Sequence, residues 1–161
     1  MSLSYRVGTG YDIHRFKKGR VLWLGGIRLS KERGLDGHSD ADALLHALID
    51  ALLGAAGLPD IGHYFPPGVS KTKNIASAVM LSKVLREIQR LRYHVVNVDS
   101  TIVTEKPKIA PNREAMRKRI AHLLGVPVSC VQVKGKTNEG LDAIGKGQAL
   151  AAHAVVLLQR R

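Results

Sequence analysis

The sequence predicts an α/β fold, a single domain in which one sheet carries helices on one face. Three observations lead there. Segments with strand patterning (5–14, 20–29, 95–103, 128–134, 149–158) are interspersed with helix-periodic segments (41–56, 75–91, 111–125). The chain has 161 residues, the size of one domain with a real core. Its first strand sorts side chains by parity, with Tyr5, Val7, Thr9, Tyr11 and Ile13 on one face and Gly8, Gly10, Asp12 and His14 on the other.

Taken in order, residues 20–29 read as two short strands about the turn Gly25-Gly26, a hairpin. Gly34 and Gly37 lead into a helix over 41–56, which is Ala, Leu or Ile at nearly every position and ends near Gly54 to Gly57 with Pro59 beyond. Residues 58–74 form a long connection rich in Pro and Gly, of the length that is usually functional or mobile. The apolar stripe Ile75, Ala78, Val79, Leu85, Ile88, Leu91 opposes Lys83, Arg86, Glu87 and Arg90, giving an amphipathic helix that covers a sheet. A buried strand follows over 95–103, then a loop over 105–111 whose Pro111 opens a helix running to Gly125. Strands over 128–134 and 149–158 complete the chain, the last with Ala151, His153, Val155 and Leu157 on one parity.

The helix over 41–56 carries three polar residues before Gly54, namely Asp42, His46 and Asp50, spaced by four and therefore on one stripe. Such a stripe faces a polar cavity, a partner or a metal. Ser39 or Asp40 is expected to cap the first turn, with free N–H groups offering His38 an anion seat. A lone histidine on an apolar helix is commonly a hydrogen-bonded core residue, so His46 needs partners. Asp12 and His14, two apart on a strand, supply them. One carboxylate and two imidazoles suit zinc or another divalent transition metal, with a fourth position open. Asp50, one turn after His46, is expected either to orient an imidazole or to satisfy a buried contact. The segment Lys134-Gly135-Lys136-Thr137-Asn138-Glu139-Gly140 reads as a polar turn or as a cradle for a diphosphate and its divalent ion.

The formal charge is +12, yet the cations are dispersed without interleaved aromatics or a zinc-finger pattern, so most of it reads as solvated surface and no nucleic acid is expected as partner. The single cysteine, Cys130, lies among valines and reads as a core or sheet residue. No apolar run reaches the ~18 residues of a membrane span, and the N-terminus lacks a signal pattern, so no membrane partner and a cytoplasmic location are expected.

The motifs Gly10-Tyr11-Asp12-Ile13-His14, Gly25-Gly26-Ile27, His38-Ser39-Asp40-Ala41-Asp42 with His46, Asp60-Ile61-Gly62, Phe65-Pro66, Pro107-Lys108, Val133-Lys134, Thr137-Asn138-Glu139-Gly140-Leu141 and Gly145-Lys146-Gly147 together resemble the 2-C-methyl-D-erythritol 2,4-cyclodiphosphate synthase family. The resemblance spans almost the whole chain. It implies a homotrimer around a threefold axis and a lyase that closes a cytidine diphosphate substrate into a cyclic diphosphate with release of CMP. It implies zinc on Asp12, His14 and His46, magnesium or manganese near Glu139, and His38 and Thr137 as catalytic groups. Substrate would be bound by Asp12, His14, His38, Ser39, Asp60, Ile61, Gly62, Phe65, Lys136, Thr137, Asn138, Glu139 and Lys146. The base would be wrapped by the loop with Lys108, Ile109 and Ala110. Lys146 and His153 are candidates to line the threefold axis, or equally ordinary surface or packed residues. The chain departs from the family pattern at Pro67, where an acidic residue is expected, and at Asp142-Ala143, where a Gly-aromatic pair is expected. A metal-dependent phosphohydrolase, which would release inorganic phosphate, and a non-catalytic RNA-binding domain, which would bind heparin with a steep salt dependence, are the rival classes.

Overall fold

A computed structural model describes residues 4–69 and 75–160. Met1 to Leu3, Arg161 and residues 70–74, with the basic run from Lys71 to Lys73 and the end of the long connection, lie outside the described residues. The strands are β1 (Tyr5–Lys18), β2 (Leu22–Leu24), β3 (Ile27–Ser30), β4 (Arg33–Leu35), β5 (Tyr93–Val103), β6 (Val131–Lys136) and β7 (Ala149–Arg160). The helices are α1 (Ala43–Ala56), α2 (Ile61–Tyr64), α3 (Ser77–Arg90), α4 (Arg113–Leu124) and α5 (Asp142–Gly145). Five strands form one sheet in the order β4-β1-β7-β5-β6, and β2 and β3 form the expected hairpin, with Gly25 and Gly26 at φ of 62° and 75°. Two left-handed residues in succession are what a tight right-twisting hairpin turn demands.

β7 runs antiparallel to both β1 and β5, and β6 runs parallel to β5, with α4 filling the crossover. The C-terminal ends of β1, β5 and β6 therefore share one end of the sheet. That end carries the chemistry.

Helix α1 is buried at every position except His46, Asp50 and Gly54, the first two being the polar stripe read from the sequence less Asp42. It lies on β1 almost backbone to backbone. A Cβ on Gly8 would come within 2.0 Å of the Ala51 carbonyl oxygen, and one on Gly10 within 1.8 Å of that of Ala47. The glycines, with alanines facing them, let the helix sit close enough for a short side chain of β1 to meet one of α1. Helix α3 packs against α1, and α4 against β6, on the same side of the sheet.

The opposite side is bare. Tyr5, Val7, Tyr11 and Ile13 of β1 are 52, 65, 50 and 43% exposed, and Val155 of β7 is 43% exposed. Several boundaries differ from the sequence reading. The helix over 41–56 starts at Ala43, because Asp42 is its N-cap. The strand over 128–134 starts at Val131 and extends to Lys136, since residues from Val128 to Cys130 form a 3-10 turn and leave Cys130 half-buried outside the sheet. β4 was not anticipated. It is three residues long, and its Gly34 presses against the Val21 carbonyl.

Candidate metal centre and active site

Asp12 and His14 lie on β1 near its C-terminal end, and His46 lies one turn into α1 above them. Asp12 Oδ2 is 2.9 Å from His14 Nε2 and 2.9 Å from His46 Nδ1, and the two nitrogens are 3.4 Å apart. These separations match the ~3.3 Å between ligand atoms that bond lengths of ~2.0 Å give around a tetrahedral ion. Asp12, His14 and His46 form the only cluster among the described residues with three histidine, cysteine or acidic groups able to hold a metal. His14 Nδ1 lies 2.7 Å from the Asp36 carbonyl, which can only accept, so Nδ1 holds a proton and Nε2 is the nitrogen available to a metal.

Burial alone would raise the Asp12 carboxyl. Hydrogen bonds from His14 and then His46, with the charges of both rings, outweigh it and lower the group to about 2. Burial likewise works against a charged His14, but the bond and charge of Asp12 win and raise it. A carboxylate held ionised between two imidazoles suits a divalent cation, which would displace the protons they share.

The loop before α1 is tied down around this cluster. Arg20 donates to the carbonyls of Gly37 and Ser39, each at 2.8 Å, which fixes the backbone on both sides of His38. The Ser39 hydroxyl accepts from the Ala41 N–H at 3.0 Å. Neither Ser39 nor Asp40 caps α1. Asp42 does, accepting from Leu45 N at 3.0 Å, and its two oxygens also accept from Gly25 N at 2.9 Å and Gly26 N at 2.7 Å. The proposed anion seat at the helix start is thus filled by the chain's own carboxylate, and Asp42 leaves the polar stripe. Asp50 does not touch an imidazole either. Its Oδ1 accepts from Ile61 N at 2.8 Å and anchors α2, whose N-cap is Asp60. Asp40 instead reaches α3, where its carboxylate accepts from the N–H and the hydroxyl of Ser77. Nothing in the sequence pairs Asp40 with Ser77, since they stand 37 positions apart.

A cleft of about 270 Å³ opens beside the cluster, lined by His14, His38, Ser39, His46, Ile61, Gly62, Phe65 and Pro67, among others. Asp60 stands next to it at the start of α2. The departure at Pro67 therefore falls on the cleft wall. The remaining expected residues lie elsewhere. Thr137, Asn138 and Glu139 follow β6, where Thr137 Oγ1 donates to Glu139 Oε1 at 2.9 Å. Glu105 Oε1 accepts from Asn138 N at 2.8 Å, which joins this loop to the one bearing Lys108, Ile109 and Ala110. Gly135 allows Ile109 to lie against β6, a Cβ there coming within 2.7 Å of it. Lys136 is exposed at the end of β6, and Lys134 does not join the cradle because it pairs with Asp99 at 2.6 Å. Lys146 follows α5, and Asp142 at its start has φ of 55°, a left-handed conformation that glycine takes without strain. β6 is separated from β1 by β7 and β5, three strand spacings or about 14 Å. One chain therefore holds the two groups of candidate residues apart, at the same end of its sheet.

A carboxylate and two imidazoles converging on one point beside a cleft, on an α/β sheet with one bare face, define an α/β protein with a site able to hold a metal ion. The YgbB family model matches residues 5–159. A 2-C-methyl-D-erythritol 2,4-cyclodiphosphate synthase of Moorella thermoacetica is 52% identical over 156 residues, covering 97% of this chain and 96% of that protein. The CDP complex of IspF from Plasmodium falciparum superimposes with a TM-score of 0.87 at 34% identity, covering 100% of this chain and 99% of that one. The bifunctional IspDF of Campylobacter jejuni gives 0.94 at 35% identity over 98% of this chain, which spans only 42% of that longer protein. The chain belongs to the YgbB family, that of the 2-C-methyl-D-erythritol 2,4-cyclodiphosphate synthases.

Proposed function

We propose that this protein converts 4-diphosphocytidyl-2-C-methyl-D-erythritol 2-phosphate to 2-C-methyl-D-erythritol 2,4-cyclodiphosphate and CMP, as a phosphorus–oxygen lyase of the methylerythritol phosphate route to isoprenoid precursors. The observation that carries this reading is the convergence of Asp12, His14 and His46 on one point at the mouth of a cleft. An oxygen of the substrate's 2-phosphate forms a bond to the β-phosphorus, and the bond from that phosphorus to the bridging oxygen breaks, CMP leaving with the electron pair. The attacking phosphate is already ionised, so no protein base is needed, and positioning with charge neutralisation supplies the rate.

Asp12, His14 and His46 fit zinc, and Glu139 with the substrate diphosphate fits magnesium or manganese; bound there, the ions would polarise the phosphates as Lewis acids. His38, held by Arg20 through its neighbouring carbonyls, donates to the phosphate oxygens on which charge develops, and the Thr137 hydroxyl does the same from the other half-site. Ser39, Asp60, Ile61, Gly62 and Phe65 hold the methylerythritol chain against the cleft. Lys136, Asn138 and Lys146 bind the diphosphate, and Lys108, Ile109 and Ala110 take the cytosine through backbone groups.

The working unit in this reading is a homotrimer. The two half-sites of one chain lie too far apart to grip one phosphate chain together, whereas a neighbouring copy can bring its β6 end to the Asp12 cleft. The bare, apolar sheet face supplies the surface that three copies would bury around an axis. The substrate is a water-soluble nucleotide, and the cytoplasm is the proposed place of action. Phosphorus NMR of the protein with this substrate, zinc and magnesium tests the activity. Cyclic diphosphate and CMP are expected, and release of inorganic phosphate would make the protein a hydrolase instead.

A further inference from the structure

We propose that Asp40 and Ser77 form a hydroxyl relay that fixes a proton on His46 Nε2, so that Nδ1 is the nitrogen left to the metal. The proposal rests on the metal centre described above and adds to it a positioning residue, Ser77, on an element that contributes no ligand. His46 Nδ1 faces Asp12, and its other nitrogen, Nε2, lies 2.9 Å from Ser77 Oγ and 3.2 Å from Ser39 Oγ. A hydroxyl can donate or accept, so contact with serine alone leaves the imidazole tautomer open.

Asp40 removes the ambiguity. Its Oδ2 accepts from Ser77 N at 2.9 Å, and its Oδ1 is in close contact with Ser77 Oγ. A carboxylate only accepts, so the single hydroxyl proton of Ser77 points to Asp40 and its lone pairs face His46. Nε2 must then carry a proton and donate it to Ser77 Oγ, so a metal arriving at Nδ1 displaces only the proton that Nδ1 shares with Asp12 Oδ2, 2.9 Å away. Ser39 cannot substitute for this, because no carboxylate directs its hydroxyl proton. Ser77 is fully buried, with 0% of its surface exposed, so water does not compete for these bonds. His14 reaches the complementary state by a different device, the Asp36 carbonyl on its Nδ1. The two rings thus point opposite nitrogens at the same place, each held there by a partner of fixed hydrogen-bonding sense. Ser77 is also the first residue of α3, so the relay ties the start of that helix to the metal centre.

The test uses the folded, metal-free protein and zinc alone, so its outcome does not depend on whether the chain cyclises the proposed substrate. In wild-type protein with 15N-labelled histidine, the long-range 1H–15N spectrum is expected to show a proton on His46 Nε2 both with and without zinc. In metal-free Ser77→Ala that Nε2 proton should be lost in favour of the Nδ1–H tautomer, which Asp12 alone supports. Zinc affinity, measured by competition with a chelator, should fall roughly tenfold to a hundredfold. Circular dichroism melting of the same samples checks that the fold is kept. A metal-free wild-type His46 with no proton on Nε2 overturns the proposal whatever the variant does, and so does a folded Ser77→Ala with its Nε2 proton and its zinc affinity unchanged.

Discussion

Three acidic side chains flank the helix that carries His46, and each is used for something other than metal. Asp42 is fully buried and accepts from three backbone N–H groups, of Gly25, Gly26 and Leu45. Burial pushes its carboxyl up, those three donors oppose that, and the charge of Asp40 adds to the rise. Asp42→Ala strands all three donors in the core, and since each buried unpaired group costs about 1–3 kcal/mol, urea unfolding should show a loss of about 3 kcal/mol or more. Asp50 behaves differently. Its carboxyl is raised, first by burial and then by the charges of Asp60 and Asp12, against the Ile61 N–H. The ionised form is therefore less favourable folded than unfolded. Stability from this site is complete below the ordinary value of 3.8 and is lost as the pH rises through the higher folded-state value. Asp50→Asn keeps an oxygen for Ile61 N and removes the charge. Its stability relative to wild type, by urea unfolding of metal-free protein, should increase as the pH rises from 3.8 through the raised folded-state value; a constant difference would contradict this.

At the scale of elements, the contact that builds the metal centre is α1 on β1. His46 reaches Asp12 because Gly8 and Gly10 admit the helix, and a Cβ at position 10 would sit 1.8 Å from the Ala47 carbonyl oxygen, backbone that no rotamer change can move. Gly10→Ala should cost about 3 kcal/mol, the upper part of the overpacking range, and should also lower the zinc bound per chain after dialysis, because His46 rides on the displaced helix. Retention of one zinc with unchanged stability would contradict that packing. Much of this element was legible in the sequence. The parity of β1, the run of Ala and Leu in α1 and the position of His46 follow directly from residue periods. The cap did not, because Ser39, Asp40 and Asp42 all have capping side chains and only tertiary contact with Gly25 and Gly26 selects Asp42. The roles of Asp40 and Asp50 were equally hidden, since their partners, Ser77 and Ile61, come from segments beyond the helix. Residues from Val128 to Cys130 read as strand because valine favours extended backbone, but they turn in a 3-10 loop before β6 begins.

At the scale of the whole molecule, the bare sheet face and the division of the site into two halves have one explanation in the proposed trimer. Val155 stands on that face opposite Thr9 of β1 and Asp99 of β5, remote from the metal cluster. Val155→Glu would bury a carboxylate in the assembled core, so light scattering should show a monomer at concentrations where wild type is trimeric. The monomer should still bind zinc, because Asp12, His14 and His46 come from one chain, and should lose cyclisation, because the second half-site no longer arrives. A monomer with full activity would mean that one chain closes its own site.

The most direct measurement is anomalous diffraction at the zinc edge from crystals grown with zinc, magnesium and CDP. One strong peak per chain is expected, bonded to Asp12 Oδ2, His14 Nε2 and His46 Nδ1, with the nucleotide's phosphates beside it and its cytosine in the loop with Lys108, Ile109 and Ala110 of a neighbouring copy. A zinc peak away from those three atoms, or a nucleotide held entirely within one chain, would contradict the account.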